Sequence, residues 1–163
     1  MDIAITNRQR LQKMNLRLLK NITRELLSEL ELEKAEIGIC LVGAPEMTQL
    51  NETFLHHAGV TDVMAFDYHD NVLPASCRQG KSELPAGCRK HVHGEIFVCV
   101  DEAIRQARKF GTSWQSEVIR YLIHGVLHLL GFDDSSVGAR RKMKREENRL
   151  LREITRRFPL SKL

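Results

Sequence analysis

The stretch that decides the fold of this chain is YLIHGVLHLLGFDD, residues 121–134. Apolar side chains fill nearly all of its first ten positions, and a helix that is apolar almost all round is a buried one. The polar exceptions, His124 and His128, are four residues apart. Residues at that spacing lie on one face of a helix with their Cβ atoms roughly 5–6 Å apart, so two imidazoles can bind one metal ion.

A glycine and two aspartates follow this predicted helix. Gly131 can adopt the left-handed conformation that ends a helix, and the chain can then turn back on itself. Such a turn would bring Asp133 or Asp134 close to the histidine pair. Two imidazoles and one carboxylate, with a fourth position left to water, are typical of a catalytic rather than a structural zinc site.

Other interpretations of the histidine pair stay open. Core histidines satisfied by hydrogen bonds would have the same spacing, and two histidines with one carboxylate also form the facial triad of non-haem iron oxygenases. Those oxygenase sites usually lie on a β-barrel, which a helical pair argues against. A zinc protease of the HExxH type is disfavoured, because Gly125 occupies the place of the glutamate that acts as general base.

The helix also carries two features that predict its surroundings. Arg120, His124 and His128 fall at steps of four and form one polar stripe on an otherwise apolar helix. Gly125 would let another backbone pass close by, although glycine costs about 1 kcal/mol relative to alanine in a helix.

Hydrophobic periodicity predicts the elements around this helix. Strands are expected over 2–6, 36–42, 63–66 and 95–100, and helices over 11–30, 45–55, 101–110 and 138–158. The order of elements predicts an α+β fold in which a small mixed β-sheet is packed by helices around the central HxxxH helix. Residues 1–163 are expected to form a single domain, since that length suits one hydrophobic core.

A long segment between the third and fourth predicted strands, 67–93, contains several prolines and glycines and lacks periodicity. It is predicted to be a loop, and loops of that length are usually functional or mobile. Its cysteines and histidines match no zinc-binding spacing and are interpreted as scattered loop residues: Cys77, Cys88, His91 and His93.

The composition is that of an ordinary globular protein, with 42% hydrophobic and 28% charged residues. No apolar run is long enough to span a membrane and no secretory signal is visible, so a cytoplasmic location is expected. The four cysteines form no CxxC pair and are interpreted as reduced thiols. The net charge of +4 suits an anionic partner such as RNA.

The last predicted helix is rich in basic residues that offer phosphate contacts. Glu146, Glu147 and Glu153 interrupt the basic run, so an ordinary solvated face stays an equal alternative. The basic residues are Arg140, Arg141, Lys142, Lys144, Arg145, Arg149, Arg152, Arg156 and Arg157.

Residues 124–134, HGVLHLLGFDD, resemble the HGxLHLxGYDH signature of the YbeY family, the bacterial endoribonucleases of rRNA maturation. The likeness continues in Leu50-Asn51, in the stretch TDVMAF at 61–66, and in Gly94-Glu95-Ile96. It further includes Gln106-Ala107 and Glu117, so it runs from about residue 50 to the last helix.

The resemblance implies a metal site formed by His124, His128 and Asp134, where most members of the family have a histidine in place of the aspartate. Carboxylates bind zinc at about 2.0–2.2 Å, so the site can accept the change. The added negative charge should loosen the preference for zinc. One Zn²⁺ per chain is therefore expected, with another divalent metal as the alternative.

The resemblance also implies the activity of a metal-dependent endoribonuclease, a phosphodiester hydrolase that cuts single-stranded RNA. The expected role is maturation of the 3′ end of small-subunit (16S) rRNA and ribosome quality control. The implied partners are rRNA and the small ribosomal subunit, with no membrane. The alternative from another functional class is a ribosome-associated binding module whose metal is structural.

This sequence departs from the family at a second position. Many members carry an arginine where this chain has Leu55, and the next residues, His56 and His57, are interpreted as exposed loop histidines. Asp133 is a candidate general base because it adjoins the predicted site, with a role in the loop after the helix as the alternative.

Overall fold

The computed structural model describes residues 1–56, 58–68 and 91–163. The elements in this part of the chain, in order, are β1 (Asp2–Asn7), α1 (Leu16–Glu29), β2 (Lys34–Val42), α2 (Ala44–Leu55), β3 (Val63–Asp67), β4 (His91–Cys99), α3 (Val100–Phe110), α4 (Trp114–Leu129), α5 (Val137–Arg157) and a short 3-10 helix (Leu160–Lys162).

The strands form one mixed sheet in the order β1-β2-β4-β3. Strand β2 pairs in parallel with both β1 and β4, with Ile39 opposite Ile96, whereas β3 pairs antiparallel with β4. The C-terminal halves of β2 and β4 are buried at nearly every residue, as expected for strands covered on both faces. The predicted α+β fold is confirmed.

Helix α4 is the central helix predicted from the sequence. It packs against β3 and β4 and lies between α3 and α5. Its apolar side chains, such as Ile119, Ile123 and Val126, are completely buried, whereas the predicted polar stripe is partly exposed. The helix therefore holds a polar stripe in a fixed position on an otherwise buried scaffold.

Gly125 lets α4 approach the sheet closely. A Cβ atom at this position would lie 2.6 Å from Cγ2 of Ile96, a buried side chain of β4. The close neighbour is therefore a side chain and not a passing backbone. The missing Cβ makes room for a β-branched residue of the sheet.

Helix α1 begins later than predicted, at Leu16, because Asn15 supplies its N-cap. The Asn15 side chain accepts a hydrogen bond from the Leu18 amide at 3.0 Å. The preceding residues form a turn in which the Gln9 amide oxygen accepts from the backbone N–H groups of Leu11 and Gln12. Side chains that bond to the backbone outside the helix thus set its first residue.

Strands β3 and β4 shorten the predicted loop at both ends. Asp67 is the last residue of β3, and His91 and His93 belong to β4. Val100 in turn opens α3 rather than ending the strand. Cys77, Cys88 and most of the predicted loop lie outside the described residues.

Two described cysteines, Cys40 and Cys99, are buried free thiols. Burial raises the pKa of Cys99 to about 11, which keeps the thiol protonated and unreactive. In the same part of the chain, no helix combines the length and the apolar composition needed to cross a membrane.

The contact at Gly125 predicts an unusual response to alanine. Gly125→Ala should destabilise the protein by about 1–2 kcal/mol, because overpacking costs about 1–3 kcal/mol and outweighs the gain of about 1 kcal/mol in helix propensity. Gly138→Ala in α5 is the matched control, since a Cβ there meets nothing within 4 Å. Chemical denaturation of both variants gives the comparison.

The control variant should be as stable as the wild type or gain up to about 1 kcal/mol. In an Ile96→Ala background, Gly125→Ala should cost less, because the clashing Cγ2 is gone. Equal stability of Gly125→Ala and Gly138→Ala would contradict the packing account.

Candidate metal centre

The end of α4 shapes the site. Leu130 is the C-cap, and Gly131 follows with a φ of 84° in the left-handed region. The Gly131 N–H donates to the His128 carbonyl at 2.9 Å and the Phe132 N–H to the Leu127 carbonyl at 3.0 Å. This pair of bonds is the Schellman motif, which turns the chain back across the helix end.

The turn brings three side chains together. Nε2 of His124 lies 3.0 Å from Nε2 of His128. Oδ2 of Asp134 lies 3.9 Å from the first of these nitrogens and 4.0 Å from the second. Ligand atoms bound at about 2.0–2.1 Å in a tetrahedron are about 3.3 Å apart, so the three atoms can hold one metal ion after small movements.

Both imidazoles direct a lone pair into this group. Nδ1 of His128 lies 3.1 Å from the Phe132 carbonyl oxygen, and Nδ1 of His124 lies 3.1 Å from Oε2 of Glu147. Because these partners are acceptors, each neutral ring carries its hydrogen on Nδ1 and has a bare Nε2. Two bare nitrogens and a carboxylate oxygen therefore converge, an arrangement that a cation satisfies.

Burial favours the neutral form of His128. It lowers the pKa of His128 below the usual 6.5, and the neighbouring His124 lowers it further. A metal ligand must be the neutral imidazole, and a lowered pKa keeps the ring neutral in mildly acidic solution.

Glu147 of α5 is the residue of this site that sequence reasoning missed. It is only 3% exposed and accepts hydrogen bonds from His124, from Arg120 at 2.6 Å and from Lys144 at 2.6 Å. Burial alone would raise the pKa of this carboxyl, but the three donors outweigh burial and lower the pKa to about 2. Glu147 is therefore an anion that fixes the orientation of His124.

A signal for Glu147 was present in the sequence. It lies four residues after Met143 and three before Leu150, both buried residues of α5. A charged residue on the apolar face of an amphipathic helix needs a partner inside the protein. This signal is hard to see in the sequence, because Glu147 stands among basic residues and looks like a simple interruption of a basic run.

A cavity of about 170 Å³ is lined by two of the three converging side chains, His124 and Asp134. It lies between α4 and α5, and its walls carry both signs of charge. The charged and metal-ligating residues around it include Asp62, Arg120, His124, Asp134, Arg140 and Lys144.

A sequence profile of the family described as Endoribonuclease YbeY matches residues 3–155. This chain belongs to the YbeY family. The resemblance noted from residue 50 onward is thus confirmed, and the match extends it almost to the N-terminus.

Several YbeY relatives named Endoribonuclease YbeY are similar over most of their length. The relative from Chlorobium phaeovibrioides is 33% identical over 147 residues, which cover 82% of this chain and 87% of the relative. The relative from Acidothermus cellulolyticus is 33% identical over 152 residues, covering 93% and 90%. The relative from Syntrophotalea carbinolica is 29% identical over 158 residues, covering 96% and 97%.

A solved structure shares the fold. The solution structure of a protein from Thermotoga maritima matches this YbeY-family chain with a TM-score of 0.59 and 23% sequence identity. The match covers 93% of this chain and 88% of that protein.

Asp133 plays a local part in this YbeY-family chain. Its carboxylate accepts hydrogen bonds from the backbone N–H of Ser135 at 3.0 Å and from the Ser135 hydroxyl. These bonds lower its pKa, and the side chain lies outside the cavity. The position fits the alternative role in the loop between α4 and α5 rather than that of a general base.

The position at which many YbeY proteins carry an arginine lies away from the cavity in this chain. Leu55 is the last residue of α2 and is half-exposed, outside the walls of the cavity. His56 follows in the left-handed region and is exposed, as predicted, whereas His57 lies outside the described residues. Among the described residues, the cations around the cavity come from α4 and α5.

The contact between Glu147 and His124 predicts a change in metal affinity. Glu147→Gln should weaken Zn²⁺ binding by about 10–100-fold, because loss of a partner that orients a ligating histidine has effects of that size. Glu146→Gln is the matched control, since Glu146 bonds to Arg149 and not to the site. Competition with a chromophoric chelator measures both affinities.

Circular dichroism should show both variants folded. The same Zn²⁺ affinity in Glu147→Gln and Glu146→Gln would contradict the orienting role of Glu147.

Proposed function

We propose that this protein is a metal-dependent endoribonuclease that hydrolyses single-stranded RNA. Residues 1–163 form its single hydrolase domain, with His124, His128 and Asp134 as the ligands of one divalent ion. The observation that carries the proposal is the convergence of three acceptor atoms beside a cavity whose walls include Arg120, Arg140 and Lys144. Membership of the YbeY family gives the reaction class.

Zn²⁺ is the proposed ion, and the donor set is the reason. Two imidazole nitrogens and one carboxylate oxygen leave a fourth tetrahedral position open for water or substrate. The side chain of Asp134 is 47% exposed, so the open side of the group is accessible from solvent. A carboxylate in place of a third imidazole weakens the preference for zinc, and other divalent ions are the alternative.

Each residue of the proposed site has a distinct task. A bound divalent ion polarises a phosphoryl oxygen and lowers the pKa of water. Glu147 and the Phe132 carbonyl hold the two imidazoles through Nδ1, which leaves each Nε2 available to a divalent ion that these residues would hold. Arg120 and Lys144 balance the charge of Glu147, so this buried carboxylate does not repel an incoming phosphate.

The proposed biological substrate is rRNA. We assign this protein a role in maturation of the 3′ end of 16S rRNA and in ribosome quality control, in the cytoplasm and on the small ribosomal subunit. Family membership supports this assignment, as does the net charge of +4, which favours association with RNA.

A cleavage assay with ligand variants tests the proposal. The Zn²⁺-loaded protein should cut labelled single-stranded RNA and lose this activity in a chelator. His124→Ala and Asp134→Ala should both lower the metal content, measured by elemental analysis, and abolish cleavage. His91→Ala is the control, because His91 is an exposed residue of β4 away from the cavity.

Two outcomes separate the parts of the proposal. Intact RNA across several substrates with metal-loaded protein would contradict the nuclease activity. A full metal content in Asp134→Ala, together with loss of metal in His124→Ala, would remove Asp134 from the ligand set.

A further inference from the structure

The structure divides the nine basic residues of α5 into separate groups. Several are paired with carboxylates on the protein surface. Arg149 binds Glu146, Arg156 binds Glu153, and Arg157 binds Glu25 and Glu29. These side chains form an ordinary solvated face, which was one of the two alternatives left open by the sequence.

Arg140 belongs to a different face of the helix. It lies three, four and seven residues before Met143, Lys144 and Glu147, so all four lie on one side of α5. All four line the cavity beside the candidate metal ligands. Arg140 is thus in the first turns of α5, next to the loop that carries Asp134.

The other cations of the cavity are already engaged. Arg120 and Lys144 each donate a hydrogen bond to Oε1 of Glu147 at 2.6 Å. Glu147 is buried, and leaving it without these partners would be costly. Neither cation is therefore free to leave Glu147 for a ligand.

Arg140 is not committed in this way to any carboxylate of the described residues. Its Nε donates to the backbone carbonyl of Asp134 at 3.3 Å. Within the described ranges, no carboxylate forms an ion pair with its guanidinium. The bond to Asp134 uses one of five N–H donors and ties Arg140 to the loop of a proposed metal ligand.

Building on the proposed function, we infer that this cavity binds a phosphate of single-stranded RNA and that Arg140 is its phosphate-binding residue. A guanidinium can bind two phosphate oxygens at once, and its charge does not vary with pH. The cavity places this group next to His124 and Asp134. A phosphate held by Arg140 would therefore lie beside the proposed metal ion.

Substitution of two arginines on one helix tests the inference. Arg140→Gln removes one cation from the cavity, and Arg145→Gln removes the same charge from an exposed position outside the cavity. The two side chains are about 140° apart around the helix axis. Arg140→Lys keeps the charge but loses the bidentate geometry.

Two measurements give the readouts. Binding of a fluorescent single-stranded RNA is followed by anisotropy in chelator, where the RNA stays intact, at several KCl concentrations. The metal-loaded proteins are then compared for KM, kcat and Zn²⁺ affinity on the same RNA.

Arg140→Gln should bind RNA about tenfold more weakly and have a higher KM. The slope of its RNA affinity against salt concentration should fall by the amount expected for about one phosphate contact. Arg140→Lys should recover part of the loss, and Arg145→Gln should change binding less than about threefold. Zn²⁺ affinity should be unchanged in all three variants.

Equal RNA binding by Arg140→Gln and Arg145→Gln would overturn the inference. So would a parallel loss of Zn²⁺ affinity in Arg140→Gln, because Arg140 would then only position the Asp134 loop. RNA binding that depends on Arg140 in a protein that never cleaves RNA would support the inference and contradict the proposed function.

Discussion

The geometry of the site depends on the turn that ends α4. Gly131 in the left-handed region ends the helix. The same turn places the Phe132 carbonyl oxygen within hydrogen-bond distance of Nδ1 of His128, and it brings Asp134 close to the histidine pair. An L-residue at this position would strain the turn. One backbone conformation thus sets the orientation of one imidazole and the position of the carboxylate beside both.

Glu147 provides the second constraint by connecting α5 to α4. A carboxylate this deeply buried is stable only when paired, and its three partners come from Arg120 and His124 of α4 and from Lys144 of α5. The same contacts that stabilise the helix pair also orient His124. One buried charge therefore both stabilises the packing of α5 against α4 and orients His124. The cavity lies where these two helices meet.

Much of the fold and of the candidate metal site could be predicted from the sequence, because the strongest sequence patterns depend on neighbouring residues. The spacing of His124 and His128, the apolar faces of the helices and the glycine after α4 each report on neighbouring residues. Glu147 could not be assigned to the site from the sequence, because its contact with His124 joins residues 23 positions apart. For the same reason the sequence could not identify Ile96 as the neighbour of Gly125, since Ile96 lies on another element.

The central claim is that two imidazoles and one carboxylate bind a single metal ion. X-ray absorption spectroscopy of the Zn²⁺-loaded protein tests it most directly. A site of two imidazoles and one carboxylate should give nitrogen and oxygen scatterers at about 2.0–2.1 Å, with the outer-shell pattern of two imidazoles. A sulfur shell at about 2.3 Å, or no imidazole pattern, would contradict it.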